Sequence, residues 1–189
     1  MQFKDVIDKR RSIRAFTDKK VEDAQIMELL AMAHKAPSGG NLCPWEFIII
    51  RDQERLKAIT ENTFASSNPK LTQAWIATAP VIVVVCGLPG KITERYGNVM
   101  KDVRELMLQD IGAVVENFLL GAVDMGLASC WVVGFHKEPL KKLLALPEGV
   151  EPTVVLPLGY GANEGVLRPR PELAAIVHRE LYGSSSSGS

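Results

Sequence analysis

The chain has 189 residues, 47% of them hydrophobic and 23% charged, with lysine plus arginine matched by aspartate plus glutamate at 22 each. That composition belongs to an ordinary globular domain and gives no bulk field to attract nucleic acid or an anionic membrane. The three cysteines, Cys43, Cys86 and Cys130, are odd in number and widely spaced; without a CxxC they argue against a disulfide framework or a zinc site and fit a reducing, cytoplasmic setting.

In chain order, Met1 to Asp5 carries an acid where a signal peptide needs an apolar stretch. Phe3, Val6 and Ile7 form a short helical stripe. The chain then breaks into Arg10-Arg11-Ser12-Ile13-Arg14-Ala15-Phe16. A second helix is predicted from about Glu22, with Ile26, Leu29, Leu30 and Ala33 at helical spacing and Glu22 and Asp23 favouring its positive end. It stops before Pro37. Ser38-Gly39-Gly40-Asn41 is loop chemistry, and Trp45 to Ile50 reads as a buried strand, with Asp52 placed to cap the helix that follows.

Val81 to Cys86 is the clearest strand, because five consecutive β-branched residues suit a strand buried on both faces. The longest apolar run, from about Pro80 to Leu88, is too short to span a membrane. From Gly87 to Gly97 the chain is polar and glycine-rich. The stretch from about Val99 to Met125 then places Ile111, Val114, Val115, Phe118, Leu119 and Ala122 at intervals of three and four, as a central helix needs. Gly126 sits where a left-handed cap belongs, and Leu127 to Val133 is predicted to return as a strand. A short helix around Glu138 to Leu144 has Pro139 in its first turn, and Thr153 to Leu158 is a further strand. From Gly159 to Tyr182 the chain reads as an extended arm, carrying Arg168-Pro169-Arg170-Pro171. The end, 183–189, is nearly pure Ser and Gly and reads as a flexible tail. Alternating strands and helices ordinarily suggest a doubly wound parallel sheet, yet no strand is followed by GxGxxG or a Walker lysine loop.

Nucleophilic and metal chemistry find little support. His34, His136 and His178 lie far apart, and neither HExxH nor GxSxG is present. The arginines say more. Arg10, Arg11, Arg14, Arg168 and Arg170 sit in loop or arm segments, and a guanidinium fork matches phosphate oxygens where no glycine-rich loop supplies backbone donors. A solvated basic turn is the plain alternative. Pro37-Ser38-Gly39-Gly40-Asn41 before Pro44-Trp45 is either a helix-to-strand turn or a loop that offers an amide to a flat heterocycle. Gly126 to Gly134 is either a glycine bulge or a place where a ligand approaches backbone.

In this order and spacing, the arginine segment, Ala36 to Phe47, the Asp110 to Met125 helix running into Gly126-Leu127-Ala128-Ser129-Cys130-Trp131, Leu158-Gly159-Tyr160 and Arg168-Pro169-Arg170 resemble the nitroreductase family of FMN enzymes. The resemblance covers Phe3 to about Tyr182. It implies an α+β fold with a central, mostly antiparallel sheet flanked by helices, one FMN-binding domain over 1–182, and an intertwined homodimer, built on the long central helix, with two FMN at its interface. By position, Arg10, Arg11 and Ser12 look like the first part of the family's phosphate and ribityl site, and Arg14 like the cation beside the flavin pyrimidine. Arg168 and Arg170 resemble its later phosphate-binding pair. Pro37, Ser38, Gly39 and Asn41 resemble the loop reaching the flavin of the other subunit, and Trp131, Val132 and Gly134 the segment against the isoalloxazine. Cys43 stands where the family often has glutamine, and Gly87 to Gly97 leaves little room for the inserted helices that often cover the substrate.

The implied activity is ping-pong electron transfer from NADH or NADPH through FMN to a small acceptor such as a nitroaromatic or quinone, so no side-chain nucleophile is required. A specialised flavin enzyme of the same fold, of benzimidazole synthase or dehalogenase type, and a non-catalytic flavin-binding protein remain open alternatives.

Overall fold

The structure is a computed structural model and describes residues 1–64 and 72–183. Most of the predicted tail, 184–189, lies outside the described residues. The elements run α1 (Phe3–Lys9), α2 (Asp23–Ala33), β1 (Trp45–Ile50), α3 (Gln53–Thr63), β2 (Val81–Gly87), α4 (Pro89–Tyr96), α5 (Val103–Asp124), β3 (Ala128–Ser129), α6 (Lys137–Leu143) and β4 (Glu151–Gly159). Four strands form one sheet in the order β1-β2-β4-β3, and every pairing is antiparallel. The alternation of strands and helices therefore does not build a doubly wound sheet, in keeping with the missing phosphate loops.

Strand β2 organises the core because its side chains alternate between two apolar layers. Val81, Val83 and Val85 face α2 and α5, joining Ile26, Leu29, Val114 and Phe118. Ile82, Val84 and Cys86 face the other way, toward Leu56 and Ile59 of α3 and Leu140 of α6. All seven β2 residues are buried. Helices thus cover both faces, and this is why the strand reads as a continuous β-branched run rather than an alternating one.

Capping sets the helix ends. Glu22 and Gln25 form a reciprocal capping box at the start of α2, Asp52 accepts the Arg55 N–H at 2.8 Å before α3, and Asp102 accepts from Arg104 and Glu105 before α5. At the end of α5, Gly126 is left-handed (φ +71°), with its N–H on the Val123 carbonyl and the Leu127 N–H on the Ala122 carbonyl. Among the described residues, α5 is the one helix long and apolar enough to cross a membrane, and its Ile111, Val114, Val115 and Phe118 are buried in the core of the chain.

Three expectations need correction. Trp45 to Ile50, expected to be a buried strand, is buried only at its ends, with Glu46 and Ile49 exposed, because β1 lies at the edge of the sheet. The strand predicted over Leu127 to Val133 is only Ala128–Ser129, because the chain leaves the sheet at Cys130 and returns for a single bridge between Val132 and Val155. The glycine-rich stretch after Gly87 contains helix α4. Pro89 occupies its first turn, and its one buried residue, Ile92, gives too narrow an apolar stripe for periodicity to reveal.

Candidate cofactor site

The arginine segment is pinned by its apolar members and displays its polar ones. Ile13 and Phe16 are buried. The Ile13 N–H donates to the Ser129 carbonyl at 3.0 Å, Phe16 bridges to Gly161, and the Thr17 N–H donates to the Tyr160 carbonyl at 2.8 Å. This backbone tether lays Arg10 to Phe16 along the sheet end formed by β3 and β4, so Arg10, Arg11, Ser12 and Arg14 point outward.

The C-terminal arm folds over them. An open cleft of about 380 Å³ is lined by Arg10, Arg11, Ser12 and Arg14 on one side and by Arg168 and Arg170 on the other. The arm comes this close because of Gly165, whose φ is +73°: a Cβ there would lie 2.7 Å from Ile13 Cδ1 and 2.9 Å from Arg11 Cβ. Its N–H donates to Asn163 Oδ1 at 3.0 Å, which closes the turn.

Five arginines line this cleft, and among the described residues only one of them forms an ion pair. Arg10 has a loose 3.9 Å pair with Glu116. Among the described residues, Arg11, Arg14, Arg168 and Arg170 have no carboxylate partner. Arg11 instead donates to the backbone carbonyls of Asp8 and Arg10, and Arg14 to that of Ser12. Such unpaired forks repel one another and favour a bound dianion.

The segment after β3 borders the same region. Cys130 is buried beside Ser12 and Arg14. Burial pushes its thiol up against the opposing influence of Arg14, Ser12 and Arg10, which leaves it protonated and unreactive. Trp131 is 39% exposed and lies along α5, where a methyl at Gly112 would meet the Trp131 ring at 3.9 Å. Val132 is buried and spends both backbone groups on Val155. It therefore fixes its neighbours and presents no free polar group of its own. The Gly134 carbonyl accepts from Gln73 Nε2 at 2.8 Å.

The Pro37 to Asn41 loop sits elsewhere. The Gly39 N–H donates to Asp110 Oδ1 at 3.0 Å, the Cys43 N–H to Ser38 Oγ at 2.9 Å, and Gly40, Asn41 and Cys43 are all left-handed (φ +58°, +57° and +46°). None of its residues lines the arginine cleft. Asp110 and Gly112 are two residues apart on α5 and so point about 200° from each other around it, which places the loop and Trp131 against different faces of that helix. Within one chain the structure joins the two arginine groups in one cleft, with Cys130 beside it; Trp131, Val132 and Gly134 do not line that cleft, and the Pro37 loop stands apart.

Some site residues were not read from the sequence. Trp75 lies 5.9 Å from the Arg14 guanidinium, and Asn163, Gly165, Val166 and Leu167 line the cleft. Asp110 had a usable signal, since it is an acid placed on the apolar stripe of α5 between Met107 and Val114.

The family model described as Nitroreductase family matches residues 7–160. The chain belongs to the nitroreductase family. As a nitroreductase-family protein it is 35% identical over 160 residues to an Archaeoglobus fulgidus protein assigned as an NADH dehydrogenase/NAD(P)H nitroreductase, covering 82% of this chain and 83% of that one. It is 29% identical to the FMN reductase [NAD(P)H] of Bacillus subtilis, over 91% of this chain and 71% of that enzyme. Among solved structures, a nitroreductase family protein of Clostridium difficile superposes with a TM-score of 0.78 at 29% identity, covering 96% of this chain and 99% of the other. The nitroreductase match spans both α5 and the first arginine group, while Arg168 and Arg170 lie beyond it.

Proposed function

We propose that this chain is an FMN-dependent NAD(P)H oxidoreductase that reduces a small acceptor such as a nitroaromatic or quinone. The observation that carries this reading is the cleft of five arginines, four of them without a carboxylate among the described residues, in a fold whose family includes enzymes named for FMN and NAD(P)H. The cleft fits FMN on two counts: its donor set is that of a phosphate dianion, and Ser12 adds a hydroxyl.

When bound, FMN supplies the electron chemistry, accepting electrons from NAD(P)H and passing them to the acceptor. The chain binds and tunes it. Arg10, Arg11, Ser12, Arg168 and Arg170 hold the phosphate and ribityl end. Arg14, exposed beside Trp75, would set a fixed positive charge beside the bound flavin and stabilise negative charge gained on reduction. Trp131 and Gly134 bound the ring with Val132 holding them in place, and Pro37, Ser38, Gly39 and Asn41 approach from a second copy of the chain. Three free cysteines fit a reducing compartment; burial lifts the Cys86 thiol to about 12, so it too stays protonated.

The homodimer is part of this reading. In one chain the loop is separated from the cleft by α5, and the arm leaves Val166, Leu167, Leu173, Ile176 and Leu181 exposed, an apolar surface of the kind that a partner covers. The test is the visible spectrum of the protein after FMN addition and dialysis, followed by anaerobic titration with NADH and with NADPH. The reading expects retained yellow colour that bleaches with at least one nucleotide. Retained colour that neither nucleotide bleaches would favour sequestration or a specialised flavin reaction, and no retained flavin would overturn the reading.

A further inference from the structure

Asp110 is the only charged side chain buried among the described residues. Burying a carboxylate is costly unless each oxygen finds donors, and here one oxygen goes without. Oδ1 accepts the Gly39 N–H at 3.0 Å, while Oδ2 is shielded from solvent and has no partner. Burial raises its pKa, with the Gly39 hydrogen bond opposing. A carboxylate kept at such a site is poorly explained by stability.

Its one partner lies at the start of an unusual loop. Gly39 opens the turn in which Gly40, Asn41 and Cys43 are left-handed, a conformation that Asn tolerates but that carries strain for Cys43. The loop is braced on several sides: Ser38 Oγ takes the Cys43 N–H, Lys91 Nζ reaches the Cys43 carbonyl at 3.3 Å, and Leu106 of α5 lies against Gly39. Among the described residues, Asp110 alone ties the loop backbone to α5 through a side-chain acceptor.

We propose that Asp110 is a positioning residue for cofactor binding: by holding the Gly39 N–H it fixes the strained turn that presents Pro37, Ser38 and Asn41 to FMN. The proposal rests on the reading of this loop as cofactor-facing, and it assigns the energetic cost of the buried carboxylate to binding rather than to folding.

The discriminating pair is Asp110→Asn and Asp110→Leu, with Asp110→Ala as a second acceptor-free variant should leucine not be accommodated. Asparagine keeps an oxygen for Gly39 but carries no charge; leucine and alanine remove the acceptor. The readouts are FMN affinity from quenching of flavin fluorescence, hydrogen exchange of the 37–43 peptide in the cofactor-free protein, and thermal midpoint against pH.

Asparagine is expected to bind FMN within about threefold of the parent, while leucine or alanine loses about tenfold or more and exchanges the loop amides faster, as loss of one hydrogen bond to a charged acceptor predicts. The thermal midpoint should move the other way at pH 8, with asparagine at or above the parent because the buried charge is gone. Equal FMN affinity in the parent and the acceptor-free variants would overturn the proposal, as would affinity losses that simply follow the thermal midpoint. A parent protein that does not bind FMN at all would overturn instead the functional reading on which it stands.

Discussion

Arg14 and the pair Arg168 and Arg170 share a cleft, yet they are asked to do different things. Arg14 stands beside Trp75 and Cys130; with FMN held as proposed, its charge would bear on the oxidation state of the cofactor more than on its retention. We expect Arg14→Ala to keep measurable FMN while shifting the flavin midpoint potential negative, as read by spectroelectrochemistry; an unchanged potential would refute the role. Arg168 and Arg170 are exposed and form no ion pair among the described residues, so in the proposed site their contribution is attraction for a dianion. The double change Arg168→Ala and Arg170→Ala should weaken FMN binding by about tenfold or more, with the loss shrinking in high salt because exposed charges are screened.

Asp110 adds a pH dependence whose sign follows from its environment. Its pKa in the fold is raised from 3.8, so its contribution to stability is fully present below the unfolded value and is lost as pH rises through the folded value. The parent protein should therefore lose stability relative to Asp110→Asn as pH rises from about 4 toward neutrality, and the two unfolding curves should converge in acid. Curves that stay parallel from pH 4 to pH 8 would show that Asp110 titrates normally.

Elements were legible where a single physical rule dominated. Trp45–Ile50 and the strand from Val81 were readable because β-branched runs have few other uses, and Asp52 and Gly126 because caps carry chemical signatures. The rest depended on contacts distant in sequence. Nothing local says that the chain should quit the sheet at Cys130, since the bridge that brings it back is formed with Val155. The cleft itself was legible only as two arginine groups far apart in sequence, and no spacing rule brings Arg10 to Arg168. What does so is Gly165, which admits the arm against Ile13 and Arg11. Gly165→Ala should accordingly lower FMN affinity without unfolding the core, since both its left-handed backbone and its close approach resist a side chain. By contrast Asp52→Ala, at the capped start of α3, should lower stability by about 1 kcal/mol and leave FMN affinity unchanged. Thermal melts paired with fluorescence titration separate the two.

For the whole molecule, the separation of the Pro37 loop from the arginine cleft by α5 matters most. A cofactor that needs both must draw them from two chains. Removal of the arm after Gly161 should cost both FMN binding and dimerisation, as measured by analytical ultracentrifugation; a truncated chain that remains dimeric would place the interface elsewhere. In the proposed dimer α5 takes the central place, and its exposed Leu108 would be available for that contact.

A site shared in this way ties occupancy to mass action. If each flavin is gripped by two chains, its apparent dissociation constant is a property of the protein concentration as well as of the residues, and association and cofactor loading reinforce one another. Dilution would then bleed colour from the protein before any residue had changed. Added FMN would delay the dissociation of subunits, and the amount of chain in a cell would set how much of it is armed.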